Sequence, residues 1–347
     1  MLNIAEINLA KLVDNALAVK KLLKPNVKFC AVVKADAYGH GSVKVANALY
    51  KIADCFAVAI AEEGIELRRG GIDKEVLVFN PVFEQDLEVA VRYDLTLTVQ
   101  TEKEVVAISK ESKRQGRRTK VQIKYNTGMN RLGVDGIEEL EKLAKLIKSS
   151  DNLILDGMYS HLGAPENKKI TKSVVNKFLL ANNLVKGYNK NALCHLSASG
   201  GLLKDVQFDM VRVGILLYGY KPFPTDTIKV ERVMKVYAPV LMERKAEAGQ
   251  TVLYGNDRLK EEKSFKLIRS GYADGLPRAK VQGLVANRCM DVSAVECEQS
   301  SDRKRNGFNE EWHCVMENAD ELAKLYQTIP YEILTKATLR AEKIYIT

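Results

Sequence analysis

The sequence predicts an α/β fold, an eight-stranded (β/α)8 barrel of the TIM type followed by a mainly β C-terminal domain. Three observations carry that expectation. Apolar β-rich segments alternate with helix-periodic ones up to about residue 224, the strands among them number eight, and from Thr225 the strand-like segments lose their helical partners. A chain of 347 residues with 46% hydrophobic composition can bury one large core and a smaller one, which fits domains at 1–224 and 225–347.

In order, strands are expected over 29–34, 55–60, 75–79, 95–99, 119–125, 153–159, 192–196 and 208–213. Helical periodicity falls between most of them, for example over 61–70, 101–115 and 137–149. Such alternation needs right-handed parallel crossovers, which a closed barrel satisfies, although spacing alone also admits an open doubly wound sheet. Residues 6–9 read as a strand able to pair with the β domain. That domain is expected to place strands over 228–241, 264–268, 281–286 and 291–297, a helix over 318–326 and a last strand over 343–346.

Composition excludes several classes of function. The net charge of +9 invites a nucleic-acid partner, but the basic residues are dispersed among 44 acidic ones. The densest basic run, Lys113 to Arg118, has no aromatic for a base to stack on and reads as a solvated helix end, and Arg303-Lys304-Arg305 reads as loop surface. Six cysteines without a Cys-x-x-Cys pair suit a reducing compartment, so no disulfides are expected. No apolar run approaches the ~18–20 residues that span a bilayer, so no membrane partner and a cytoplasmic location are expected. The four histidines are scattered without metal-ligand spacing, so no metal is expected, and Ser197-Ala198-Ser199-Gly200 does not supply Gly-x-Ser-x-Gly.

In α/β barrels the carboxyl ends of the strands carry the chemistry. The run Phe29 to Val33 delivers Lys34 to that rim, where partial desolvation lowers an amine's pKa and makes it nucleophilic. By position alone Lys34 reads as a strand-end lysine reaching solvent. Gly39-His40-Gly41 begins like a dinucleotide fingerprint, but Lys44 stands where the pattern needs glycine.

Val33-Lys34-Ala35-Asp36-Ala37-Tyr38-Gly39-His40-Gly41 resembles the cofactor-lysine signature of the alanine racemases, in which this lysine binds pyridoxal 5'-phosphate covalently. The resemblance continues in register. Thr127 to Gly133 is similar to the segment whose arginine, here Arg131, contacts cofactor and substrate carboxylate. Lys124 matches a lysine carbamylated in some members, and Asn126 stands where aspartate is usual. Ser199 matches a phosphate-binding serine, and Val211 to Gly219 resembles the segment in which the amides of Gly214 and Ile215 hold phosphate and Arg212 faces the pyridine nitrogen. Tyr38 matches another phosphate ligand; Leu339 stands where many members have a tyrosine for that role. Backbone N–H groups after the last barrel strands are independently suited to an anion.

The resemblance implies racemisation of an amino acid by two bases. Lys34 serves one face and Tyr254, in Val252-Leu253-Tyr254-Gly255, the other. A tyrosine is a poor base unless a neighbour stabilises its phenolate. His161 matches that neighbour, with Glu166 at a position often held by aspartate. The segments Gly271 to Arg278 and Cys289-Met290-Asp291 also match, with Tyr272 and Met290 shaping the substrate pocket. In the family these β-domain residues reach the other subunit, so the resemblance implies a homodimer in which Tyr254 completes the partner's site. It further implies alanine as substrate, with D-alanine supplied to peptidoglycan. A broader racemase acting on serine or lysine, and a non-catalytic pyridoxal-phosphate-binding barrel, are the alternatives. Residues 292–316 follow no family pattern.

Overall fold

The computed structural model describes residues 2–279, 283–297, 303–304 and 311–347, and the chain divides into two compact units. One comprises Leu12–Ala37 and Ser42–Glu231; the other comprises Met1–Lys11, Tyr38–Gly41 and Arg232–Thr347. Strand β1 (Asn3–Asn8) belongs to the second.

The first unit is built on eight parallel strands: β2 (Lys28–Val32), β3 (Cys55–Val58), β4 (Val76–Val78), β5 (Thr96–Val99), β6 (Thr119–Lys124), β7 (Leu153–Tyr159), β8 (Leu193–His195) and β9 (Met210–Val213). Their spatial order is β8-β7-β6-β5-β4-β3-β2-β9. The ends of that order also join, because the N–H of Asp209 donates to the carbonyl of Cys194 at 3.0 Å and that of Arg212 to Ser197 at 3.0 Å. The sheet is therefore a barrel rather than the open alternative. Strands β3, β4, β5 and β9 are buried at every residue, which explains the unbroken apolar or β-branched runs of the first three; in β9 the run is interrupted only by the buried Arg212. Helices at Ala61–Arg69, Glu102–Arg114 and Gly136–Lys148 fall where periodicity predicts them. The second of these starts at Thr101, whose hydroxyl accepts the N–H of Glu104 while the Glu104 carboxylate accepts the N–H of Thr101, a reciprocal cap.

The strand expected over 29–34 stops at Val32. Beyond Val33 the chain winds left-handed, with φ of 51° at Ala35, 52° at Asp36, 53° at Ala37 and 55° at Tyr38. Each non-glycine residue so placed costs about 1–2 kcal/mol. Hydrogen bonds offset the cost: the N–H of Ala35 donates to Glu63 Oε1 (2.6 Å), that of Ala37 to the Val33 carbonyl (2.9 Å), and that of Ser42 to Asp36 Oδ1 (2.8 Å).

The second unit contains β1, β10 (Met234–Ala246), β11 (Lys263–Ile268), β12 (Ser293–Glu296), β13 (Arg303–Lys304), β14 (Glu311–Met316) and β15 (Ala341–Ile346). Its sheet runs β12-β11-β10-β1-β15, with β14 paired to β10 and β13 to β14. Ile4, Tyr237 and Trp312 form one core cluster, and Ala238, Ile268, Leu284 and Val295 another.

Several expectations need correction here. The strand expected from 228 starts at Met234 and runs on through the charged Glu243-Arg244-Lys245 to Ala246, because β11 pairs along that stretch. The described part of 281–286 contributes only a bridge from Leu284 to Val295; residues 280–282 lie outside the described residues. Arg303-Lys304 is not loop but pairs with β14, and Arg305 lies outside the described residues. A second helix, Pro330–Lys336, follows the expected one, with proline at its first position where a missing N–H is harmless. None of the six cysteines forms a disulfide. No helix among the described residues is long and apolar enough to cross a membrane.

Candidate active site

Lys34 opens the left-handed turn at the end of β2 and is half-buried. Burial chiefly, and then the charge of Arg131, lower its pKa below the ordinary lysine value, while Glu63 opposes them. The amine is thus biased toward its neutral, nucleophilic form.

Arg131 lies in the loop after β6. That loop is closed by the N–H of Asn126 to the Val134 carbonyl (3.0 Å) and the N–H of Val134 to the Lys124 carbonyl (2.9 Å). Asn126, where the resemblance leads one to expect aspartate, uses both ends of its amide. Its Oδ1 accepts from the N–H groups of Gly128 (3.0 Å) and Asn130 (3.1 Å), and its Nδ2 donates to Asp135 Oδ1 at 2.7 Å. An aspartate here would face another carboxylate, so asparagine fits this loop. Gly133, at φ 116°, passes so close to the backbone of Lys124 to Asn126 that a side chain could not be accommodated.

Lys124 ends β6 only 7% exposed, with its amine 4.1 Å from the centre of the Tyr159 ring. Burial, and then Arg212, Arg131 and Lys34, push its pKa down to about 6. Arg212 on β9 is buried at 3% exposure, and burial lowers its pKa to about 10, which leaves it charged at neutral pH. Its guanidinium donates to the carbonyls of Ser160 (2.7 Å), Leu196 (3.1 Å) and His195 (3.2 Å), to His195 Nδ1 at 2.6 Å and to His161 Nδ1 at 3.4 Å. A guanidinium only donates, so both imidazoles present bare Nδ1 atoms to it. Burial and then Arg212 push the pKa of His161 down to about 3, so this ring is neutral and carries its proton on Nε2. His195 stacks on Tyr159, rings 5.1 Å apart and 3° from parallel.

Ser199 begins the short helix Ser199–Leu202, and its Oγ accepts the N–H of Gly214 at 3.3 Å. Ile215 follows at the start of the 3-10 helix Ile215–Tyr218. Two first turns, whose leading N–H groups have no partner within their own helices, therefore meet at Ser199 and Gly214. Gly201 abuts Ser197 too closely for any Cβ.

This unit thus brings together Lys34, Arg131, His161, Ser199, Arg212, Gly214 and Ile215, together with Lys124. Glu166 is exposed in the loop after β7. A barrel rim carrying Arg131 and Arg212 beside two helix starts suits an anionic ligand, and the donor set fits a phosphorylated aldehyde whose carbonyl meets a neutral amine.

The second unit holds Tyr38, Tyr254, Tyr272, Met290 and Leu339. Tyr38 is buried, its ring 5.9 Å from that of Tyr331. Tyr254 is 74% exposed in a turn between left-handed Leu253 (φ 56°) and Gly255 (φ 128°), so it is not a packed aromatic. The N–H of Tyr272 donates to the Cys289 carbonyl (3.0 Å) and that of Ala273 to Met290 (3.0 Å), which makes Tyr272 and Met290 neighbours. Asp274 fixes this segment by accepting the N–H of Gly271 (2.8 Å) and a two-pronged contact from Arg340 (3.0 and 2.8 Å). Leu339 is 65% exposed and brings no polar group.

Sequence reasoning passed over Gln122, Asp156, Tyr159, Glu63 and Arg340. One signal was present: Lys120, Gln122 and Lys124 alternate along β6, which marks a polar face on a strand otherwise expected to be apolar.

A two-unit protein with a nucleophilic amine at the rim of an α/β barrel, ringed by anion-binding groups, belongs among the barrel enzymes that act on an amine substrate through a phosphorylated aldehyde. The chain belongs to the alanine racemase family, whose N-terminal domain matches residues 7–222 and whose C-terminal domain matches residues 233–345. An alanine racemase of Treponema denticola is 33% identical over 99% of this chain and 97% of its own length. The structure of an alanine racemase of Clostridium difficile superposes with a TM-score of 0.92 at 29% identity, covering 100% of this chain and 96% of that one. The alanine racemase of Bartonella henselae, solved with covalently bound pyridoxal phosphate, gives 0.84 at 27% identity with both chains fully covered (100% of each).

Proposed function

We propose that the protein interconverts L-alanine and D-alanine with pyridoxal phosphate held at Lys34, by proton transfer from two faces. The observation that carries this reading is the lowered pKa of Lys34 at a barrel rim shared with Arg131, Arg212 and the Ser199–Gly214 cradle. When bound, the cofactor supplies an electron sink that loosens the substrate's α-proton. Ser199, Gly214 and Ile215 would hold its phosphate, with Tyr38 joining them as the resemblance implies, and Arg131 would receive the substrate carboxylate. Arg212, charged at neutral pH and without a proton to give, would face the ring nitrogen and so would favour proton return over other outcomes. Lys34 takes or returns a proton on one face and Tyr254 on the other. His161, neutral and protonated on Nε2, can donate to the Tyr254 phenolate without adding charge.

Tyr254 comes from a second copy in this reading, with Tyr272 and Met290 beside it, so the working form is a homodimer. Its exposure in the single chain supports that arrangement. The product serves peptidoglycan synthesis in the cytoplasm. Incubating the purified protein with single L-amino acids and measuring D-enantiomers by chiral chromatography tests the reading. D-alanine is expected in excess over D-serine and D-lysine; turnover of serine or lysine without alanine would overturn the substrate.

A further inference from the structure

A polar column crosses the interior of the barrel beneath Arg212. Gln122 on β6 is fully buried; its Nε2 lies 2.7 Å from Asp156 Oδ2 on β7, and its Oε1 lies 2.7 Å from His195 Nε2 on β8. On the far side of the ring, His195 Nδ1 is 2.6 Å from Arg212 Nη1. The Nζ of Lys120 stands 3.7 Å from the second oxygen of Asp156 and 2.6 Å from Glu75, keeping a cation beside that carboxylate.

From this we propose that Asp156 and Gln122 are positioning residues that lock His195 as its Nε2–H tautomer and so hold Arg212 in place. Asp156 accepts from Gln122 Nε2, and Arg212 only donates. Gln122 and His195 stand between them, each with one donor and one acceptor to offer. Asp156 therefore draws the amide nitrogen of Gln122, which turns Oε1 to the imidazole. His195 must then carry its proton on Nε2, which leaves Nδ1 bare for Arg212. Reversing Gln122 or His195, both fully buried, sets two donors or two acceptors face to face where an unmet polar group costs most. Stacking on Tyr159 removes the remaining escape, rotation of the ring out of line.

The consequence for the chemistry rests on the reading above, in which Arg212 faces the cofactor's ring nitrogen. The tautomer does not rest on it, so the two can fail separately. The experiment is nitrogen NMR of the holoenzyme with 15N-labelled histidine, since only 4 histidines must be told apart. The His195 signals are identified with His195→Asn. In the unaltered protein at pH 7, His195 is expected as a single neutral species with Nε2 protonated and Nδ1 bare. Asp156→Asn, which offers Gln122 a donor as well as an acceptor, is expected to let the amide turn over and the Nδ1–H tautomer appear beside the first, with Arg212 drawn off His195 Nδ1. It should lower kcat about three- to tenfold, as for one misplaced hydrogen bond, with KM for alanine within about twofold. Asp156→Glu restores an acceptor-only end and is expected to restore the single tautomer.

A wild-type His195 protonated on Nδ1, or on both nitrogens, overturns the proposal without any variant. A single Nε2–H species surviving in Asp156→Asn overturns the role of Asp156. The predicted tautomers in a protein that does not racemise alanine would uphold the lock and remove only its proposed use.

Discussion

The Glu63 carboxylate anchors the start of the left-handed turn that follows Lys34, and removing it is the most informative single perturbation. Glu63 accepts the N–H of Ala35 at 2.6 Å with one oxygen and those of Ala59 (2.7 Å) and Ile60 (3.3 Å) with the other. Hydrogen bonds to a charged group contribute about 1.5–3 kcal/mol each. Two of these three are short, and the side chain is half-exposed, so Glu63→Ala should cost about 2–4 kcal/mol after that discount. For a unit of this size that corresponds to a fall in Tm of about 5–10 °C by calorimetry. The loss also releases four residues held at positive φ and withdraws the charge that raises the pKa of Lys34. The pH midpoint for covalent capture of pyridoxal phosphate, read from its absorbance, should therefore move down while the rate at pH 7 falls through misplacement of the amine. Glu63→Gln should lie between, since its amide can accept on one side only. A Tm within about 2 °C of wild type together with an unmoved midpoint would refute the claim that Glu63 sets this turn.

Two further perturbations read the charges of the rim. Lys124 has its folded pKa lowered to about 6, so between that pH and its ordinary value the unfolded chain binds the extra proton and stability rises with pH. Lys124→Met should flatten that rise and raise Tm near pH 7; an unchanged pH slope in urea titrations would count against the lowered pKa. Asn126→Asp sets a second carboxylate against Asp135, 2.7 Å from the present amide nitrogen. It should destabilise the Arg131 loop by about 1–2 kcal/mol at pH 7, as for like charges about 3 Å apart in a mostly aqueous setting. That loss should fade as pH falls through the carboxylate range; a pH-independent loss would point to some other cause.

Much of the fold was legible because the barrel strands are short runs such as Val76-Leu77-Val78 and Met210-Val211-Arg212-Val213, buried at every position and separated by amphipathic helices. The β unit was harder to read. Glu243-Arg244-Lys245 belongs to a strand because β11 lies beside it, a tertiary fact that local polarity hides. Lys34, Arg131, Ser199 and Arg212 stood out through family motifs, and the structure gathers them in one unit. Gln122, Asp156 and Glu63 did not stand out, since their roles are set by hydrogen bonds to residues 73, 34 and 28 positions away. The left-handed turn was hidden too, because Ala35, Asp36 and Ala37 carry no glycine signal for positive φ.

Which amine takes the cofactor decides the chemistry of the rim. Reducing the purified holoenzyme with borohydride, digesting it and sequencing the pyridoxyl-bearing peptide by mass spectrometry answers that directly. The label is expected on Lys34, within Phe29 to Gly41, and absent from Lys34→Ala. A label on Lys124 or any other lysine, or retention of the reduced adduct in the alanine variant, would contradict it.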